Sequence, residues 1–159
     1  MSAARTTPTY LDLRRLRTAD LVQLAAAIVV AASLLLPWYG TDAGNANANV
    51  DGHTGDVTGW TAHPVLRWVI LAALVSAFIS AWQTLRAHPS SWERGEIAVV
   101  VGLIIVVLVL FVGFVTRPGE PHGAVHLEIG WFVALAGALV AVGAAVARQP
   151  RRSRRPPGL

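Results

Sequence analysis

The sequence predicts an all-α membrane protein, an antiparallel bundle of four transmembrane helices with both termini in the cytoplasm and short outer loops. Three observations predict it. Of 159 residues, 54% are hydrophobic and only 14% charged, a composition foreign to a soluble domain of this length. The apolar residues fall into four blocks of roughly membrane-spanning length. The thirteen basic residues, all of them arginine, crowd beside the ends of those blocks on one side.

Residues 1–18 are polar and basic, with Arg5, Arg14, Arg15 and Arg17. The first span is expected over about 19–36, ending at Pro37, which has no N–H to continue a helix. Arg14-Arg15 before an apolar run has the shape of a twin-arginine signal. The run ends in Pro-Trp-Tyr without a small-residue cleavage site, so the span is expected to be retained. Residues 37–64 form the first outer loop, so rich in Gly, Asn and Asp that no core of its own is expected. The second span covers about 65–85, and a turn over 86–95 contains His88-Pro89. In the third span, 97–115, sixteen of nineteen residues are Val, Ile, Leu or Phe, worth roughly −5 to −9 kcal/mol on insertion. A second outer loop, 116–128, precedes the fourth span, about 129–147. The basic tail, 148–159, is expected to be disordered. Its arginines, with those of the N-terminus, are placed to attract anionic lipids at ~1 kcal/mol each.

Orientation follows from the arginines. With the termini inside, eleven of thirteen are cytoplasmic: 5, 14, 15, 17, 86, 94, 148, 151, 152, 154 and 155. Arg67 and Arg117 fall outside. This bias predicts a multi-pass protein of the cell membrane with both ends in the cytoplasm.

Several function classes are excluded or disfavoured. Cysteine is absent, which removes disulfide exchange and thiolate metal sites. Asp20, Arg67, Glu96 and Glu128 lie within about a turn of span ends, leaving no ionisable group near the midplane for a proton relay or ion path. No histidine pair lies in the spans to ligate haem, and no cofactor is implied. The arginines flank membrane spans instead of one folded face, so nucleic acid is not an expected partner.

Helices in lipid associate through small residues and a few polar contacts. The fourth span offers Gly130, Ala134 and Ala138 in one row and Gly137, Ala141 and Ala145 in another. The second offers Ala73, Ala77 and Ala81 beside Ala72, Ser76 and Ser80. These rows serve packing within the bundle or an oligomer interface. The third span has almost no such surface and is expected to face lipid over much of its circumference.

The outer side carries the candidate site residues. Trp38, Tyr39, Trp60 and Trp131 lie at the outer ends of spans, as an aromatic belt or as a recognition surface. His53, His63, His122 and His126 share that side with acidic neighbours and are the candidate metal ligands. If the segment is helical, His122 and His126 at i, i+4 share a face. Antiparallel bundling predicts an outer cap with the three tryptophans as its floor and the histidines above. Arg67 and Glu128 are expected to pair across it. Asn47 to Gly52 begins like an EF-hand loop, but Thr58 stands where a bidentate Glu is required.

The Leu36-Pro37-Trp38-Tyr39 end of the first span, Gly59-Trp60 before the second, and Arg117-Pro118-Gly119 before Gly130-Trp131 together resemble small four-helix membrane proteins of actinobacteria. The use of Arg without Lys, with much Ala, Val and Gly, fits the same GC-rich source. The resemblance covers residues 19–147 and implies the architecture without an activity. A looser likeness to claudin-type proteins lacks that family's cysteine pair and its long first loop, so no junction-forming role is carried over. The expected function is therefore non-enzymatic: an accessory or scaffold subunit working through other membrane subunits or self-association. The alternative is ligand or metal binding by the outer loops.

Overall fold

In the computed structural model, which describes residues 16–86 and 95–149, the first apolar block is helical only over Thr18–Ser33 (α1). The shortening from the expected 19–36 has a local cause. In a continuing helix the Ser33 carbonyl would accept from residue 37, and Pro37 has no N–H to give. The chain instead tightens into i→i+3 bonds, including Leu36 N–H to Ser33 O at 3.0 Å. The Trp38 indole N–H then donates to the same carbonyl at 2.8 Å.

Three helices are long and apolar enough to cross a membrane: α3 (Leu66–Leu85), α4 (Glu96–Phe114) and α5 (Ile129–Arg148). At 1.5 Å per residue each covers about 28–30 Å, matching the hydrocarbon thickness. The sixteen residues of α1 cover about 24 Å. Arg5, Arg14, Arg15, His88, Arg94 and the tail from 150 onward lie outside the described residues.

The chain is not all-α. The outer segments form a three-stranded antiparallel sheet of order β2-β1-β3, from β1 (Pro37–Thr41), β2 (Asp56–Thr58) and β3 (Val125–Leu127). Tyr39 lies opposite Val57 on one side and Leu127 on the other, so β1 is the centre. A single helical turn, α2 (Gly59–Ala62), follows β2. The segment 37–64 does bury side chains: Trp38, Tyr39, Ala48, Val50 and Val57 are all buried. Composition counted too few apolar residues because their partners come from elsewhere. Leu34, Val125, Trp131 and Val109 belong to the same apolar cluster.

α5 is the pivot of the helices, with α1 and α4 packed most extensively against it, while α3 leans mainly on α1 and less on α4. Small residues decide this. A Cβ on Gly137 would lie 2.8 Å from Val30 Cγ2, and one on Gly130 would lie 2.6 Å from the Pro37 carbonyl. Ala134 and Ala138 are also buried. The third span does not lack a packing surface. Gly102, Ile105, Val109 and Gly113 form a buried face of α4, with Gly102 against Val142 and Gly113 against the Trp131 ring. A cavity of about 40 Å³ remains between α1, α3, α4 and α5, with Gln23, Ala73, Ser76, Ala77 and Gly102 in its wall.

Candidate functional site

The sheet sits where α1 ends and α5 begins, because β1 starts four residues after Ser33 and β3 ends two before Ile129. Trp38 is sealed between two glycines. A Cβ on Gly59 would lie 2.6 Å from its ring, and one on Gly130 would likewise meet ring atom Cδ1. Trp131 is also buried and donates to Val109 O at 2.9 Å. Trp38, Tyr39 and Trp131 are therefore core residues and not a lipid-facing belt; Trp60 is half-buried. Their polar atoms find backbone or His partners inside the protein, as buried Trp and Tyr require.

Tyr39 carries the most specific contact of the cap. Its hydroxyl lies 2.8 Å from His63 Nε2 and donates to Val112 O at 3.1 Å. One hydroxyl proton cannot serve both bonds, so His63 must donate from Nε2–H. Burial lowers the His63 pKa from 6.5 to about 4, against an opposing pull from the Asp51 carboxylate. Burial also raises the Tyr39 pKa well above its ordinary value, with Arg117 opposing. At neutral pH the pair is uncharged on both sides and fastens the sheet to the end of α4.

The other histidines go elsewhere. His126 on β3 reaches Glu128 at 2.9 Å, over Gly40, where a Cβ would come within 2.6 Å of the imidazole. His53 closes a tight turn through its backbone, exchanging bonds of 2.8 and 2.9 Å with Val50. Asp51 and Gly52, the central residues of that turn, both have positive φ, the requirement that makes Asp-Gly a hairpin signal. His122 lies in a 3₁₀ turn, His122–Ala124, and His126 in a strand, so the two share no helical face. Among the described residues, no group of three or more His, Asp or Glu that could hold a metal ion is gathered. Of the four candidate ligands, His63 and His126 have side-chain partners in Tyr39 and Glu128.

Arg67 and Glu128 do not pair among the described residues. Glu128 has taken His126. Arg67 lies over Trp60 and Trp68, its Cζ 4.9 and 5.6 Å from the ring centroids, and donates to Trp60 O at 3.3 Å. Arg117 has a structural task, donating from Nε to Gly113 O at 3.2 Å and from an NH group to Val125 O at 3.0 Å. It thereby satisfies a carbonyl at the end of α4 and ties that end to β3.

At the opposite end of the helices lies a contact that sequence reasoning missed. Arg148 Nε meets Asp20 Oδ1 at 2.7 Å, with both side chains under a tenth exposed. Arg148 also donates to Gln23 Oε1, and Asp20 accepts the Arg17 backbone N–H at 2.7 Å. Arg148 is thus the last residue of α5 and not part of the tail. Removing one partner of such a pair costs about 3–5 kcal/mol, because the other charge is left buried. The sequence placed both ions near span ends but held no sign that α1 and α5 are neighbours.

No family model matches the chain, and no curated protein or solved structure matches it.

Proposed function

We propose that the chain is a four-span membrane protein with cytoplasmic termini, acting without catalysis as an accessory or scaffold subunit of a membrane assembly. The observation that carries the reading is how the ionisable and hydrogen-bonding groups at the two helix ends are spent. Asp20–Arg148, Tyr39–His63–Val112 and Arg117 each join one element to another. A body fastened at both ends and apolar around its perimeter is suited to lateral association. α1 counts as a span because it lies antiparallel along α5, from Asp20–Arg148 to Leu36–Gly130. A bilayer crossed by α5 is then crossed by α1, with Leu34 to Leu36 extending its apolar length. The eleven-to-two arginine bias supports the orientation.

Exposed apolar faces lie on every long helix, and the α3 face of Val75, Phe78, Ile79 and Trp82 belongs to a helix that packs less extensively on its neighbours than α5 does. A photo-crosslinking residue at Val75 or Ile79, in intact membranes, is expected to give a discrete adduct with another subunit or a second copy. The same residue at Asn47 in the cap is expected to give none. Adducts absent from α3, or equal at both places, would overturn the subunit reading.

A further inference from the structure

We infer that Arg67, framed by Trp60 and Trp68, is a binding site for the phosphate of a membrane phospholipid. A guanidinium has five N–H donors. Among the described residues Arg67 uses one hydrogen bond, to Trp60 O, and meets no carboxylate. Its Nε is buried without a partner, a condition native proteins rarely leave unexplained. The first turn of α3 carries no acidic residue, so the positive end of that helix adds to the charge of Arg67. The two indole rings hold the guanidinium plane while its outer N–H groups remain available for a bidentate anion.

The depth of the site selects the anion. At the other end of α3, Arg86 lies over Trp82 with Cζ 4.4 Å from the ring centroid. Arg67 and Arg86 are nineteen residues apart, about 28 Å along a helix, close to the hydrocarbon thickness. An Arg–Trp stack at each end of one apolar helix fixes both at the headgroup level. There the abundant anion is the lipid phosphodiester. Val65 and Trp68, 75% and 59% exposed beside Arg67, supply an apolar flank for the glycerol and first acyl carbons. A phosphate drawn to the guanidinium pairs its outer N–H groups and sets a negative charge beside the unpartnered Nε. The site needs the membrane character of α3 but neither the orientation nor the subunit reading.

The test uses the full chain in a phosphate-free maltoside detergent, with thermal unfolding followed on adding dihexanoylphosphatidylglycerol below its micelle concentration. Lipid is expected to raise the Tm of the wild type and of Arg86→Gln alike. Arg67→Gln should lose at least half of that rise; any share due to the terminal arginines persists in every variant. Inorganic phosphate at equal concentration should raise nothing. A rise unchanged in Arg67→Gln, or no rise in the wild type, overturns the site. A rise matched by inorganic phosphate makes it a free-anion site and overturns the lipid. Should Arg67→Gln fail to fold, Arg67→Lys and Trp68→Leu decide. Arg67→Lys keeps the charge but loses the planar fork, and Trp68→Leu keeps the fork but loses one of its two rings, so an unchanged rise in both is equally fatal.

Discussion

His63 is held neutral by the same burial that lets it bond Tyr39, so its proton is linked to folding. In the unfolded chain the ring titrates near 6.5, and in the fold at about 4. Between those values the unfolded state binds more protons, so the stability that His63 contributes is full above pH 6.5 and falls as pH drops toward 4. His63→Gln keeps an N–H for Tyr39 but cannot titrate. Denaturant unfolding in detergent is expected to show a flatter acid limb for His63→Gln between pH 6.5 and 4. An identical limb would assign the acid sensitivity to other groups. At this scale the sequence was partly legible. Pro37 was readable as a helix stop, whereas Asp51-Gly52 read only as part of a loop that begins like an EF-hand, and its hairpin turn emerged from the structure. Pro37 acts four residues upstream of itself, through the carbonyl it leaves unpaired, which is why α1 ends at Ser33. The partner of His63 was hidden because Tyr39 lies twenty-four residues earlier, in a strand that local pattern did not reveal.

Between elements, closeness of approach decides which helices pack. On α5 the small-residue rows were readable from spacing alone, and Gly130, Ala134, Gly137 and Ala138 are indeed buried. On α4 the wealth of Val, Ile and Leu masked a face marked only by Gly102 and Gly113. The sheet was illegible for a different reason. Its outer strands are three residues long, too short for alternation to show, and its central strand pairs with a segment about eighty-five residues away. Ala138→Leu introduces three heavy atoms where the residue is 1% exposed. Overpacking of this kind costs about 1–3 kcal/mol, and here it also pushes α5 from its neighbours. Val107 on α4 is 61% exposed, so Val107→Leu should shift unfolding by under about 0.5 kcal/mol. The check is the difference between the two variants in thermal or denaturant unfolding in detergent. Equal effects would mean that the packed and lipid-facing sides have been exchanged.

For the whole molecule, the two segments expected outside are physically one structure. β1 and β3 pair directly, and Asn49 and Glu120 exchange backbone bonds of 3.0 and 2.9 Å between the loops. Separation of these segments by a bilayer would break that sheet, so they must share a side whatever the orientation. The four apolar blocks were legible because span length is set by the bilayer and not by tertiary contacts. The side of the membrane proposed for the sheet rests on charge alone, through the arginine bias. The natural chain has no cysteine, so single substitutions give a clean background for impermeant thiol labelling of intact cells. Asn47 is exposed, and a side chain at Gly123 meets nothing within 4 Å, so Asn47→Cys and Gly123→Cys should fold and react. Ser90→Cys and Ser153→Cys should react only after the membrane is permeabilised. The four results separate two claims that would otherwise fail together. Labelling of all four in reverse would invert the orientation and leave the sheet intact. Labelling of Asn47→Cys without Gly123→Cys would contradict the sheet itself, because no orientation of one folded cap exposes half of it to each side.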